Sequence, residues 1–397
     1  MGETCDFVVA GAGVVGMSTA LALVKKHPGS KIAILEKEPV AGLHASGRNS
    51  GVIHSGIYYS PGTLKSKVCV EGAELMKAFA AENGVRIKKL GKVIIALSAE
   101  DLPTVNRLME NANAGGIKAE RLKADAIKEI EPYSQPYEQG IYVPGASVID
   151  SKGVLAAMEK NLRNAGVKFY FGETVLGCAS DGSVNTTGGV FHFGHFFNCA
   201  GAYADVIAHA FGVGLDYQLV PFKGLYFKVR EDKKHLVRGN IYPVPDINFP
   251  FLGVHFTRSI DDDVYAGPTA IPALGRENYS MVSDLNIAEA FQMAARVLGL
   301  AVANNQNFRG LVREELGKYI KSGFVKSCAR LVPAVLDDDL IRAKKVGIRP
   351  QLMNVREKKL EMDFLIERKE RSTHVLNAVS PAFTSALSFA GIITAQV

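Results

Sequence analysis

Asp6-Phe7-Val8-Val9-Ala10-Gly11-Ala12-Gly13-Val14-Val15-Gly16 carries an apolar strand into a glycine turn and on into a helix. The helical pattern continues to Val24, and Lys31-Ile32-Ala33-Ile34-Leu35 is a second strand that ends at Glu36. The segment predicts a βαβ dinucleotide-binding unit. Gly11 permits the tight turn, Gly13 lets the backbone approach a pyrophosphate, and Gly16 lets the helix pack on the strand. The amides of Val14 and Val15, at the helix N-terminus, would face the phosphate charge. Glu36 stands twenty residues after Gly16, with Lys37 beside it, where a carboxylate binds the adenosine ribose hydroxyls. A carboxylate there repels a 2′-phosphate, so NADP is disfavoured, while NAD and FAD both stay open from this segment. One G-x-G-x-x-G is weak evidence, because glycines also mark ordinary turns; strand, helix, second strand and acid in order make it specific.

Working outward, 397 residues are more than one core usually holds, so two domains are expected, and 47% hydrophobic with 22% charged residues is ordinary globular composition. A formal charge of +6 is modest, and its lysines and arginines are spread out without RNA-type aromatic motifs. An anionic substrate or an acidic membrane surface explains that balance better than nucleic acid. The five cysteines, Cys5, Cys69, Cys178, Cys199 and Cys328, form no CxxC pair and are odd in number, against a disulfide framework or a zinc site. No metal is expected, and a reducing cytoplasm fits. The N-terminus enters a strand at once, without the charged and apolar regions of a signal peptide. Val375 to Val397 has no charged residue, but Asn377, Ser380, Pro381, Thr384, Ser385 and Ser388 make it too polar for a membrane span. It reads as a buried strand, a turn and a helix.

The segment from Gly42 to Gly56 is too rich in glycine and serine for a plain helix or strand, and long irregular loops of this kind usually serve a ligand. Helical spacing runs from Leu64 to Asn83 with Val68, Leu75, Met76 and Phe79 on an apolar face, and again over Leu102 to Ala114 and Ala124 to Ile130. Arg86 to Leu97 alternates toward a strand. Asp150 or Ser151 caps a helix through Asn164, and Val167 to Phe171 follows as a strand. Phe191 to Cys199 rises into the small-residue turn Asn198-Cys199-Ala200-Gly201, a second place where backbone can approach a cofactor. From Leu219 to Thr269, Pro221, Pro243, Pro245, Pro250 and Pro268 punctuate short strands, which suits an antiparallel sheet in a second domain. Helices return between Asn286 and Leu331.

Taken in order, GAGVVG with Glu36, SGRNSGVIH at 46–54, NCAGAYAD at 198–205, GIRPQ at 347–351 and NAVSPAFTSAL at 377–387 resemble the FAD-dependent D-amino-acid oxidase superfamily. Within it, HASGRNSGVIHSGIYY at 44–59, the stretch at 250–270, and the GIRPQ and SPAFTS pair are most similar to the L-2-hydroxyglutarate dehydrogenases and oxidases. The resemblance implies an α/β fold, α+β overall, with a Rossmann-type FAD domain from 1–85, 146–215 and 340–397. Residues 86–145 and 216–339 would form an inserted, mainly antiparallel substrate domain. It also implies that Glu36 binds the ribose, that Ser46, Asn49, Ser50 and Gly51 lie along the pyrophosphate and flavin, and that Val175 meets adenine. Ala200 and Gly201 would approach the nucleotide, and the helix beginning near Pro381 and Ala382 would aim its N-terminus at the flavin. With no cysteine near that C-terminal segment, FAD is expected to be bound non-covalently.

Oxidising a 2-hydroxy acid requires hydride transfer to flavin N5, a base for the hydroxyl proton, and cations for the carboxylates. His54 ends the flavin loop and His255 sits on a predicted strand; an unperturbed pKa near 6.5 suits either as base. An isolated histidine is more often a core residue, but both lie in the resembling motifs; which is the base stays open. Arg349, between Ile348 and Pro350, has the fork to hold a carboxylate, against the plainer reading of a structural ion pair. Lys223, Tyr58 and Thr257 are weaker candidates for substrate contact. Thr384 and Ser385 are candidates for the flavin ring, although such residues are also ordinary helix caps. Leu311 to Leu331 interleaves Lys318, Lys321, Lys326 and Arg330 with apolar residues, as a surface helix or one lying on an anionic membrane would.

The expected activity is oxidation of L-2-hydroxyglutarate to 2-oxoglutarate, with electrons passing to a quinone-linked chain or oxygen. The expected location is cytoplasmic, with a peripheral contact on the inner face of the cell membrane. The rivals are an oxidase of an amino acid, amine or glycerol 3-phosphate, a non-catalytic flavin-binding subunit, and an NAD-dependent dehydrogenase. The later flavin motifs disfavour the last.

Overall fold

Gly11 ends strand Glu3–Ala10 at a φ of +102°, and a Cβ placed there would lie 2.5 Å from the carbonyl oxygen of Cys199. Only glycine fits this left-handed turn so close to a second strand. The chain then enters helix Val14–Lys26, whose buried Met17, Ala20 and Leu23 face the sheet, and returns through strand Ile32–Glu36 parallel to the first. On the other side of Glu3–Ala10 lies strand Gly189–Asn198, also parallel. The strand order therefore diverges at the carboxyl end of Glu3–Ala10, which is where open α/β sheets hold their ligands. The computed structural model describes residues 2–179, 182–246, 251–280 and 285–397; Pro250 lies outside them.

The order in this first sheet is Val175–Ala179, Ser183–Thr186, Gly189–Asn198, Glu3–Ala10, Ile32–Glu36, Lys168–Phe171, with Ser372–Asn377 added beside Gly189–Asn198. Helices Leu64–Glu82, Ser151–Asn164 and Ala382–Ile393 join Val14–Lys26 in one core containing Met17, Met76, Met158 and Phe389. Thr63 caps the first of these by accepting from Ser66 N, and Asp150 caps the second by accepting from Gly153 N. Leu75, expected on the buried face of Leu64–Glu82, is instead 40% exposed; the helix packs through Gly72, where a Cβ would lie 2.6 Å from Ser385 Cα.

The second sheet runs Lys359–Leu360, Leu340–Asn354, Tyr217–Val229, Val264–Gly267, His255–Arg258, Asn240–Pro243, Lys92–Ile95, Gln139–Val143, Glu120–Lys123. It is antiparallel except where Asn240–Pro243 runs parallel to Lys92–Ile95. The expected boundary at 340 is corrected here. Leu340–Asn354 pairs along its length with Tyr217–Val229, so residues 340–360 belong to this sheet. Ile87–Lys89 also departs from the expected division, pairing with Ser147–Ile149 in a small separate sheet that includes Val52–Ile53. The single helix expected over Leu311–Leu331 is two, Phe308–Gly317 and Lys321–Leu331. Lys318, at the break, is buried against Glu314 and Glu315 rather than presented on a basic face.

Candidate active site

One continuous cavity of about 670 Å³ runs from the glycine turn to the inner face of the second sheet. At its first end Gly11, Gly13, Val14 and Val15 line the wall, with Glu36, Lys37, Val175, Ala200 and Gly201 around them. The Glu36 carboxylate accepts hydrogen bonds from Ala12 N at 2.8 Å and Glu38 N at 3.0 Å, which fixes it at the end of its strand. Gly16 does not line the cavity. A Cβ there would fall 2.0 Å from Gly11 O, so its role is the close packing of helix on turn.

Ser46, Asn49 and Ser50 form the next stretch of wall. Ser46 Oγ accepts from Val14 N at 3.0 Å, and Asn49 bonds Ser46 O and Gly51 N, so the loop is folded onto the helix start by its own polar side chains. Gly51 lies behind the wall, its carbonyl accepting from Ile149 N. The C-terminal helix presents Ser380, Pro381, Ala382 and Phe383 to the cavity. Thr384 and Ser385 point away, contrary to expectation. Thr384 Oγ1 accepts from His54 N, and Ser385 is fully buried at the contact with Gly72. Sequence placed no cysteine near this segment, yet the fold brings Cys69 beside Ser385 and within 3.6 Å of His54 O. Cys69 does not line the cavity, and burial pushes its thiol up to about 12, so it stays an unreactive thiol.

At the far end the structure brings together His54, His255 and Arg349. His255 Nδ1 lies 2.8 Å from Gly253 O. A carbonyl can only accept, so Nδ1 carries the proton and Nε2 is left with its lone pair. Burial, with Lys92 and Arg349 nearby, holds His255 down at about 4, and burial with Lys92, His255 and Arg349 holds His54 at about 3. Both imidazoles are therefore neutral at physiological pH. Arg349 lies over the Phe251 ring at 4.9 Å, its pKa also lowered by burial.

Three expected substrate contacts do not reach the cavity. Lys223 turns away to bond Asn278 Oδ1 at 2.8 Å and Ser280 O at 2.5 Å, and Tyr58 and Thr257 lie behind the wall. In their place the sheet offers Phe222, Tyr226 and Tyr242, with Phe251 added from the segment before His255–Arg258. Their alternating strands read as ordinary core; only the cross-strand register shows which face meets the cavity. Sequence gave no sign of Arg276 and Tyr279 either. Arg276 forms a buried ion pair with Asp205, and Tyr279 bonds His44 and lies under Arg48, so this loop clasps the nucleotide side. Glu38, His44 and Glu277 converge nearby, but the cation between the two carboxylates is Lys37.

This cavity fits a flavin dinucleotide: a glycine turn, a ribose-side carboxylate, a helix N-terminus, and the buried, unpartnered Nδ1 of His54. The chain belongs to the FAD dependent oxidoreductase family, which matches residues 6–396. It is an enzyme of that class and its cofactor is FAD. Among curated relatives it is 36% identical to an L-2-hydroxyglutarate dehydrogenase of Indibacter alkaliphilus, covering 97% of each chain. It is 35% identical to that of Escherichia coli over 99% of this chain and 93% of the relative, and 35% identical to the human mitochondrial protein over 99% and 88%. Its fold matches the FAD-bound L-alpha-glycerophosphate oxidase of Mycoplasma pneumoniae with a TM-score of 0.77 at 21% identity, covering 98% of this chain and 93% of that one. The glycine oxidase of Geobacillus kaustophilus gives 0.72 at 18%, covering 99% and 94%.

Proposed function

We propose that the protein oxidises L-2-hydroxyglutarate to 2-oxoglutarate, with His255 as the base and Arg349 as the clamp on a carboxylate. The observation that carries this reading is the meeting, on one cavity wall, of a guanidinium and a neutral imidazole whose tautomer is fixed by Gly253 O. The names of the relatives supply the substrate. Bound FAD supplies the hydride acceptor, flavin N5. Arg349 orients the hydroxy acid through its carboxylate in a bidentate pair, and Nε2 of His255 takes the hydroxyl proton as the C2 hydrogen leaves. His54, tied to the C-terminal helix through Thr384, helps to orient the hydroxyl. The N-terminus of helix Ala382–Ile393 favours negative charge at the flavin.

The test is anaerobic titration of the FAD-loaded protein with L-2-hydroxyglutarate, with the D-enantiomer as control. Bleaching of the flavin band by the L-form alone is the expected result. Bleaching by an amino acid, a secondary amine or glycerol 3-phosphate in its place overturns the substrate.

The reading extends to a peripheral membrane contact that delivers electrons to a quinone-linked chain, with oxygen as the other acceptor. No helix among the described residues is long and apolar enough to cross a membrane. Helix Ile287–Ala303, however, exposes Ile287 and Phe291 at 74% each, together with Leu298 and Val302, on one face. Leu316 and Ile320, further along the chain, are exposed as well, and the chain's charge of +6 suits an anionic bilayer at the cytoplasmic face.

A further inference from the structure

Lys92 is 2% exposed, and the rings of Tyr58 and Tyr242 lie 4.6 Å and 5.1 Å from its Nζ. Among the described residues no carboxylate pairs with it, and the titratable side chains that feel its charge include Cys69, His54 and His255. A buried ammonium without a counter-charge is costly, and a fold that needed only packing here would carry an apolar residue. The sheet shows what the charge faces. Strand Asn240–Pro243, which carries Tyr242, lies between the strand of Lys92 and the strand of His255. The Tyr242 ring stacks on the His255 imidazole, centroids 3.9 Å apart and planes at 21°. Ammonium, phenol ring and imidazole thus stand in one row, and only the last two line the cavity.

We propose that Lys92 is a positioning residue for the reaction: acting through Tyr242, its charge keeps His255 in the neutral, proton-accepting state while the shared ring holds the imidazole in place. This rests on His255 as the base in the function proposed above. Among the described residues, the charged and titratable groups that face His255 are Lys92 from strand Lys92–Ile95, Arg349 from Leu340–Asn354, His54 from the loop after Val52–Ile53, and Tyr242, with no carboxylate. Two fixed cations on either side oppose a third charge on the imidazole. The direction agrees with the depressed pKa of His255, to which Lys92 contributes after burial. Lys92 itself is lowered to about 8 by burial, so it remains mostly charged at neutral pH.

The experiment compares kcat/KM against pH for the FAD-loaded wild type and K92M, K92Q, K92R and H255N, with L-2-hydroxyglutarate as substrate and flavin fluorescence checking that each sample stays loaded. Removing the charge should raise the acid limb by roughly one pH unit in K92M and K92Q, the scale on which one neighbouring charge moves a titration. K92R should keep the wild-type limb. Because the substitution removes an uncompensated buried charge, the Tm of K92M should hold or rise while its turnover at acidic pH falls, a combination that a merely structural lysine does not produce. An unmoved acid limb in active K92M or K92Q overturns the proposal, as does an equal shift in K92R. A wild type that turns over another substrate but not this one refutes the substrate reading alone, and the same comparison of acid limbs on that substrate then upholds or overturns the role of Lys92. Turnover in H255N with an unchanged limb removes His255 as base and the role of Lys92 with it.

Discussion

The backbone amide of His54 donates to Thr384 Oγ1 at 3.0 Å, joining the loop after the first βαβ unit to the first turn of the C-terminal helix. Two segments that both line the cavity are thereby held in register, and His54 inherits its place from a residue 330 positions away.

Thr384→Val keeps the side-chain shape and leaves the buried His54 amide without an acceptor. A cost of about 1–3 kcal/mol is expected for such a group. FAD content should be retained and kcat/KM should fall by about tenfold, measured by steady-state kinetics on protein of matched flavin content.

Glu36→Ala removes the acceptor for the amides of Ala12 and Glu38 as well as the expected ribose contact. FAD affinity should drop by about 10- to 100-fold, read by fluorescence quenching as the apoprotein is titrated with FAD. An unchanged Kd would show that the carboxylate serves the turn alone.

Arg349→Met should leave FAD bound and weaken the substrate by about 2–5 kcal/mol, roughly 30-fold or more in KM. Arg349→Lys should recover only part, because a lysine cannot form the bidentate pair. Titration with a 2-oxo dicarboxylate, followed by perturbation of the flavin spectrum, checks the loss in binding directly.

Stability should fall with pH below about 6.5. His54 is held at about 3 and His195, His255 and His374 at about 4, burial being the first cause in each. Unfolded histidines titrate near 6.5, so between there and about 4 the unfolded chain binds more protons than the folded one. The stability present above that window is lost as pH falls through it, at up to about 1.4 kcal/mol per pH unit for each buried histidine and less for the partly exposed His195. A Tm measured from pH 7.5 to 4.5 should decline; a flat profile would contradict the buried neutral state.

Phe291→Glu on helix Ile287–Ala303 should abolish sedimentation with vesicles rich in anionic lipid while leaving flavin reduction by substrate unchanged, since the residue is exposed and does not line the cavity. Sedimentation equal to wild type would remove this face from the membrane reading.

Sequence determined the first βαβ unit almost residue by residue, because its signals are local: an apolar run, glycines where a Cβ would collide, and an acid at the strand end. The cap at Asp150 and the helices Leu102–Ala114 and Ala124–Ile130 are legible for the same reason. Motif order also brought out His54, His255 and Arg349, which the fold gathers on one wall. The rest was decided by the tertiary structure. Whether Lys223 or Thr257 faces the cavity depends on strand register, since the adjacent residue of a strand points to the opposite side of the sheet, and Tyr58 lies in a turn whose course only the fold sets. The assignment of Leu340–Asn354 to the second sheet, and the row of Lys92, Tyr242 and His255, arise from pairings between strands far apart in the chain. No local pattern encodes such a pairing, since it is fixed only when both sheets bury their apolar faces at once.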